Sequence, residues 1–339
     1  MVKHGLLLTA FVATACTASE PQASDPVPSN DVSGTLFVAN KRGNTLSMID
    51  LASGEEVKRG ESCTNPHELA VSPDGNHVAL ACYGGQSIAI FSTGDLSRVS
   101  EIDLGAGARP HGIVWHANGD IYSTAEGRQS IFRVSAPLGE AGMAEFSTKQ
   151  RGSHMLAVSP DGNHAWTTDL GSKTVTSVDL TEANPPLSVE VGIEPEGISL
   201  SPDGSALWVS ARGSDMAFEL DPQTMEVRKS VATGSFPLRL LVRPQGDFAI
   251  TSDLADGGLS VIDTASGELV RSIAVSSAEE AERRVQVTIL WSSDGELIYV
   301  AETESNTVAE VDFESGEVIR RFGTGEGGDG LAVITPTAE

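Results

Sequence analysis

Residues 66–75 read PHELAVSPDG, a short apolar strand closed by a Pro-Asp-Gly turn. The pattern returns along the chain as HGIVWHANG, HMLAVSPDG, EGISLSPDG, LRLLVRPQG and VTILWSSDG. The glycines that end the six turns are 42 to 49 residues apart: Gly75, Gly119, Gly162, Gly204, Gly246 and Gly295. A regular spacing of this size is typical of repeat architectures.

Each repeat contains further strand-like segments after its turn. In the first repeat these are HVALAC at 77–82 and SIAIFS at 87–92, and most repeats add a weaker fourth segment. Each unit is therefore predicted to be a four-stranded antiparallel sheet. A sheet this small cannot bury both of its faces alone, so the units must stack.

The two chain ends supply complementary halves of one more unit. The C-terminal part ends on a first strand, DGLAVITP at 329–336, and the N-terminal part begins with a second and third strand at 35–40 and 45–50. Pairing these strands would leave no unpaired edge. We therefore predict an all-β fold over residues 34–339, a seven-bladed β-propeller whose ring is closed by the N-terminal strands pairing with the C-terminal strand.

The charge of the chain excludes one class of partner. The 339 residues carry a formal net charge of −25, which would repel the phosphates of nucleic acid. The sequence also contains no GxSxG, P-loop or paired CxxC motif. We expect a monomer that binds a small molecule or an envelope protein, and no nucleic acid.

The N-terminus has the features of an export signal. One Lys precedes an apolar run, and Ala13-Thr14-Ala15-Cys16 resembles the bacterial lipobox, although Ala13 stands where Leu is usual. We predict a signal peptide over 1–15, a lipid-anchored Cys16 and a flexible tether over 16–33; an ordinary secretory peptide cut near Cys16 is the alternative. The protein would then be exported to the periplasm or outer membrane, touching the membrane only through the anchor.

Cys63 and Cys82 would be the two cysteines left in the folded domain. In an oxidising compartment they could form a disulfide, which would add about 3 kcal/mol to the free energy of unfolding. Buried free thiols are the alternative.

The repeats resemble known propeller families. LFVANKRGNTLSMIDLASGE at 36–55 and PHELAVSPDG at 66–75 resemble YVTN-type repeats of bacterial envelope and surface-layer proteins, and this resemblance covers residues 34–336. LACYGGQSIAIF at 80–91 is similar to a repeat of seven-bladed bacterial lactonases of the muconate-cyclase and phosphogluconolactonase type. The first resemblance implies the fold, and the second implies hydrolysis or isomerisation of a small substrate.

The repeat alignment also points to a site. In a propeller the first strand of each blade is innermost, so equivalent residues near its start should surround one mouth of the central channel. The seven residues at this position are His67, His111, His154, Glu196, Leu238, Val287 and Asp329. Three of the seven histidines of the chain therefore occupy equivalent places in consecutive blades, next to Glu68, Arg109 and Arg239.

Three hypotheses fit this ring. His67, His111 and His154 with Glu196 or Glu68 could bind zinc or copper. A histidine could act as a general base while Arg109 or Arg239 binds an anionic substrate. The third hypothesis is a hydrated entrance whose polar side chains face water. We predict a ligand-binding or partner-binding mouth, with a metal-dependent or lactonase-like enzyme as the alternative, formed by His67, Glu68, Arg109, His111, His154, Glu196, Arg239 and Asp329.

Two features lie outside this ring. SSAEEAERRVQ at 276–286 is an insertion between two blades, and its composition favours a helical turn that would form a lid or a solvated bump. His77 and His164 both follow a turn in the sequence GNH, which indicates a solvated position at the far side of the ring.

Overall fold

The structure is a computed structural model that describes Met1 and residues 33–335. Seven four-stranded antiparallel sheets form a ring, as predicted from the repeats. The predicted signal peptide, the lipidated Cys16 and the tether lie outside the described residues, apart from Met1 and Ser33. In the described part, no helix is long and apolar enough to cross a membrane.

Six blades use four consecutive strands, and the seventh combines the two chain ends. We number blades 1 to 6 from β4 onward, and blade 7 has the strand order β28-β1-β2-β3. The strands are β1 Thr35–Asn40, β2 Thr45–Asp50, β3 Glu56–Glu61, β4 Pro66–Val71, β5 His77–Cys82, β6 Ser87–Ser92, β7 Arg98–Asp103, β8 Pro110–Trp115, β9 Ile121–Ala125, β10 Ser130–Ser135, β11 Gly142–Ser147, β12 Ser153–Val158, β13 His164–Asp169, β14 Thr174–Asp179, β15 Leu187–Glu190, β16 Pro195–Leu200, β17 Leu207–Ala211, β18 Met216–Leu220, β19 Val227–Ala232, β20 Pro237–Val242, β21 Phe248–Asp253, β22 Gly258–Asp263, β23 Glu268–Ala274, β24 Gln286–Trp291, β25 Leu297–Glu302, β26 Thr307–Asp312, β27 Val318–Gly323 and β28 Gly328–Ile334.

The ring closes through the two chain ends. Strand β28 pairs antiparallel with β1, with Phe37 opposite Ala332 and Val38 opposite Leu331. The first strand of each blade contacts the first strand of the next, in the order β4, β8, β12, β16, β20, β24, β28 and back to β4. The predicted closure is confirmed, and the seven first strands surround the channel.

Buried carboxylates join the strands within several blades. Asp169 ends the second strand of blade 3 and accepts hydrogen bonds from Ser153 at 2.8 Å and Thr176 at 2.6 Å. Asp253 occupies the same position in blade 5 and accepts from Thr251 and Ser260. Burial raises the pKa of both carboxyls to about 6, although these hydroxyl donors act in the opposite direction.

The insertion forms one short helix, α1, at Ala278–Arg284. Ser277 caps its first turn through a capping box with Glu280. The helix rests on the ring through Ala281, which is buried, and through Arg284, whose guanidinium lies 3.2 Å from the buried Glu302. The helical turn predicted for 276–286 is therefore confirmed.

Candidate functional site

The entry to each first strand follows one backbone rule. The residue before the strand has positive φ in all seven blades, and the non-glycine cases are Asn65, Arg109, Glu194, Phe236 and Val285 at 49° to 59°. This left-handed conformation is costly for side chains other than Gly and Asn, and it persists where the surrounding structure enforces it. In blades 2 to 7 its carbonyl accepts a hydrogen bond of 2.9 to 3.2 Å from the first residue after the second strand.

Blade 1 departs from this rule at the point where the disulfide lies. The Tyr83 N–H donates to the Ala81 carbonyl at 3.1 Å instead of to Asn65. Cys63 and Cys82 are bonded with a Cα separation of 5.7 Å, so a covalent link holds the same two segments together. The Asn65 carbonyl instead faces Nδ1 of His67 at 3.4 Å. This contact favours the His67 tautomer that is protonated at Nδ1 and leaves Nε2 with its lone pair.

Four aromatic rings are in successive contact along the mouth, with Tyr83 stacked on His67 and His111 meeting His67 edge to face. The ring centroids of Tyr83 and His67 are 4.4 Å apart, those of His67 and His111 are 4.8 Å apart, and those of His111 and His154 are 3.8 Å apart. The three histidines that the alignment placed in consecutive blades are therefore in direct contact.

His154 is held between two carboxylates. Its Nδ1 bonds Glu126 Oε1, and its Nε2 lies 3.3 Å from Glu196 Oε1. Burial on its own would lower the pKa of His154, but the two carboxylates outweigh this effect and the pKa is raised. The pKa of Glu196 falls to about 2 despite its burial, because His154, Arg239 and Arg212 surround it. His154 is therefore the charged imidazole of the site.

His111 is in the opposite state, although its ring lies against that of His154. It is 3% exposed, and its Nδ1 has no hydrogen-bond partner among the described residues. Burial has the largest effect on His111 and, with the neighbouring His154 and His67, holds its pKa well below the usual range. Burial and the charge of Lys41 likewise lower the pKa of His67 to about 4. Both rings are neutral at pH 7.

Arg239 crosses the channel. This residue of blade 5 lies 2.5 Å from Glu196 of blade 4 and 2.7 Å from Glu68 of blade 1, on opposite ends of its guanidinium. Arg239 is only 5% exposed. The charged side chains of Glu68, Glu196, Arg239 and Asp329 are all buried, and each lies beside an opposite charge. The hypothesis of a hydrated entrance, whose polar side chains face water, was therefore wrong for these residues.

Arg109 is the exposed cation of the site. Its guanidinium lies 4.5 Å from the centre of the Tyr83 ring and bonds the Tyr83 hydroxyl, and its side chain remains 53% exposed. Tyr83 in turn donates to Glu126 Oε2 at 2.8 Å. Burial, together with the Glu126 charge, raises the pKa of Tyr83 to about 12, so the phenol keeps its proton. These contacts connect Arg109 through Tyr83 and Glu126 to His154.

A second ring of residues was missed by the sequence analysis. It is formed by the first residue after each second strand, which lies at the same face as the start of the first strand. These residues are Lys41, Tyr83, Glu126, Leu170, Arg212, Leu254 and Thr303. Lys41 pairs with Asp329 at 3.3 Å, and Arg212 pairs with Glu196. Aligning the repeats on the end of the second strand would have revealed this ring.

His67, His111, His154 and Glu196, the predicted metal set, lie side by side, but their ligand atoms do not all lie within 4.8 Å of one another. In residues 33–335 the group with ligand atoms all within 4.8 Å of one another is His111, Glu126 and His154. The two ring nitrogens of His154 already face carboxylates, so an ion could bind there only in place of the His154 proton.

A family model described as "Lactonase, 7-bladed beta-propeller" matches residues 30–282. The chain belongs to this lactonase family. The match accounts for the seven-bladed fold, whereas the YVTN-type label is not confirmed. No curated protein matches the sequence.

Solved propellers share the fold of this lactonase-family chain at low sequence identity. A functionally unknown protein from Desulfotomaculum acetoxidans is 15% identical over 90% of this chain and 100% of that chain, with a TM-score of 0.68. Apo AztD from Citrobacter koseri is 15% identical over 91% and 99%, with a TM-score of 0.65. Virginiamycin B lyase from Staphylococcus aureus is 14% identical over 81% and 85%, with a TM-score of 0.63. At these identities the likeness concerns the fold alone.

Proposed function

We propose that the mouth binds a small anionic lactone and hydrolyses it by acid–base catalysis. The observation that carries the proposal is the contact between His111 and His154, two adjacent imidazoles of which one has a carboxylate at each ring nitrogen and the other has an unpartnered Nδ1. Neighbouring titratable groups whose environments drive their pKa values apart are the usual arrangement of an acid and a base. The family description supports the choice of a lactone.

His111 is the general base in this proposal. A base needs a free lone pair beside the acid, and His111, whose Nδ1 has no partner in the described part of the chain, is the imidazole that contacts His154 most closely. The ring is neutral because burial disfavours its charged form. It would take a proton from water, and the resulting hydroxide would attack the lactone carbonyl carbon.

His154 is the acid and the oxyanion donor. Its longer contact is the one from Nε2 to Glu196, at 3.3 Å, so this N–H is the one that can turn to a substrate oxygen. Glu196 would still be paired with Arg239 and Arg212 after that exchange. When the ring C–O bond breaks, the proton of His154 passes to the departing alkoxide, and the product is an open hydroxy acid.

Arg109 binds the anionic group of the substrate. The sequence left Arg109 and Arg239 as alternatives, but Arg239 is buried and saturated by two carboxylates. Arg109 presents an exposed guanidinium beside Tyr83. A bidentate contact to a substrate carboxylate there would lie next to the histidine pair.

Ligand binding without turnover is the second candidate. The observation that favours it is that both ring nitrogens of His154 are already hydrogen-bonded to carboxylates. If those bonds persist when an anion binds, His154 has no proton to transfer and the ligand is not hydrolysed. An assay with γ- and δ-lactones, with and without a carboxylate, separates the two: acid release in a pH-stat supports hydrolysis, and calorimetric binding without acid release supports a binding protein.

The exported location remains part of the proposal. It is supported by the disulfide between Cys63 and Cys82, because such bonds persist in oxidising compartments. A periplasmic or outer-membrane site would expose the mouth to small molecules that enter the envelope. Fractionation of cells that express the full chain tests this placement.

A further inference from the structure

The face opposite the mouth contains a cavity between blades 3 and 4. Its volume is about 620 Å³, and the indole of Trp166 forms part of its floor. Leu187 and Leu200 add apolar walls, and the carboxylates of Asp161, Asp179 and Asp203 lie at the rim. The cavity is built by the turns at the far ends of the strands, so it is separate from the histidine pair.

In blade 4 a lysine fills the equivalent groove. Trp208 occupies the position in blade 4 that Trp166 occupies in blade 3, because both lie three residues before the end of the second strand. Trp208 pairs across the sheet with Glu219, which pairs with Lys229. The Lys229 ammonium lies 5.8 Å from the centre of the Trp208 indole and 2.6 Å from Glu219.

Blade 3 has neither this cation nor its carboxylate partner. Trp166 pairs with Ser177, and Ser177 pairs with Leu187, so Ser and Leu replace Glu219 and Lys229. The cavity beside Trp208 is about 350 Å³ and is lined by Lys229 and Arg228. In the described part of the chain, no Lys or Arg lines the larger cavity beside Trp166.

Three carboxylates line this cavity against one imidazole, that of His164, so its charge is predominantly negative. Within residues 33–335, no salt bridge involves Asp161, Asp179 or Asp203, and hydrogen bonds from their own turns keep their pKa values low. The Trp166 N–H donates to the Pro222 carbonyl at 3.1 Å, which fixes the indole. An aromatic floor below carboxylates is a favourable place for a cation.

We propose that the cavity beside Trp166 binds a monovalent organic cation, an ammonium or guanidinium on an apolar body, in the place that Lys229 takes in blade 4. The proposal is independent of chemistry at the mouth, because no side chain is shared. The cation could belong to a free amine or to a Lys or Arg side chain of a partner protein, and both sources offer the same chemistry.

The test uses the full chain and calorimetric titration with phenethylammonium, its uncharged analogue 2-phenylethanol, and a capped Ala-Lys-Ala peptide. We expect one cation site per chain and at least tenfold weaker binding of the alcohol. Tighter binding of the peptide than of the amine would identify a partner side chain as the source, and the reverse order would identify a free amine. Equal binding of amine and alcohol, or no binding of either cation, overturns the proposal.

A substitution can restore the cation that blade 3 lacks. Leu187 is 50% exposed, so Leu187→Lys should fold normally and place an ammonium at the position equivalent to Lys229. We expect this variant to weaken cation binding at least tenfold. Leu269→Lys is the matched control, since Leu269 lies on the fourth strand of blade 5 at 42% exposure and the charge change is the same. Equal loss in the two variants, or no loss in Leu187→Lys, overturns the proposed position.

Discussion

His111 and His154 lie in van der Waals contact and differ in their hydrogen bonds: His154 has a carboxylate at each ring nitrogen, whereas Nδ1 of His111 has no partner in the described part of the chain. One imidazole is thus held charged and the other neutral within one stack. The residues that charge His154 belong to three blades, because Glu126, His154 and Glu196 lie in blades 2, 3 and 4. The site therefore depends on the ring being closed and in register.

The charge of His154 should depend on Glu126. Replacing Glu126 with Gln keeps the shape but removes one carboxylate, so the raised pKa of His154 should fall. Because the pKa of His154 is raised in the folded state, its protonation stabilises the fold below the unfolded pKa, and this contribution is lost as the pH rises through the folded pKa. NMR titration of the His154 ring checks the shift. Glu145→Gln, on an exposed ion pair, is the control, and an unchanged His154 pKa in Glu126→Gln contradicts the assignment.

Arg239 should be required for stability. Arg239→Met leaves Glu68 and Glu196 buried with less compensation, which should cost about 3–5 kcal/mol of unfolding free energy. Urea denaturation measures this difference. Arg109→Met is the matched control: its side chain is 53% exposed, so we expect a change below about 1 kcal/mol and a raised KM for anionic substrates. Equal stability of the two variants would show that the crossing of the channel by Arg239 contributes little.

Part of this site could be predicted from the sequence. The spacing of the turn glycines gave the blades, and counting from those glycines placed His67, His111 and His154 in adjacent positions, where the structure brings them into contact. Glu126 was missed because it follows the second strand, and blade 2 is one residue shorter there: Glu126 lies seven residues after Gly119, whereas Tyr83 lies eight after Gly75. It pairs with a histidine 28 residues away in the next blade.

The burial of the ring could not be predicted from the sequence either. Water enters a channel mouth unless side chains fill it. Here Arg239 fills it by extending across the channel to Glu68, which is 171 residues away in the sequence. No local pattern encodes the conformation of that side chain. The same limit applies to Tyr83, whose backbone N–H departs from the rule of the other blades.

The disulfide should support the mouth as well as the fold. Cys63→Ser with Cys82→Ser removes a link worth about 3 kcal/mol. It also frees the segment that carries Tyr83, so we expect turnover to fall more than ligand affinity. Thermal unfolding and a comparison of kcat with KM measure the two effects. Ser87→Ala, at the partly exposed start of β6, is the control; unchanged kcat in a folded double variant would limit the disulfide to stability.

Asp169 should give the fold a measurable pH dependence. Burial raises its pKa to about 6 from an ordinary value of 3.8, so the folded state binds the proton more tightly. The stabilisation is complete below about pH 4 and is lost as the pH rises towards and through 6. Denaturation midpoints from pH 4 to 8 should therefore fall less steeply in Asp169→Asn. Asp179→Asn, at the partly exposed end of β14, should leave the slope between pH 4 and 8 unchanged, and a slope in Asp169→Asn equal to that of the parent protein contradicts this role.

The central claim is that His111 is the base of a metal-independent hydrolase. The most direct measurement compares acid release from carboxylate-bearing γ- and δ-lactones by the parent protein, after dialysis against EDTA, with that of His111→Gln and of the exposed His164→Gln as control. We predict turnover that survives the chelator, falls by about 10²- to 10⁴-fold in His111→Gln and is unchanged in His164→Gln, while calorimetric affinity for the hydroxy-acid product stays within a few-fold. Turnover that is lost with the chelator and restored by zinc or copper, or that is equal in the two variants, would contradict the account.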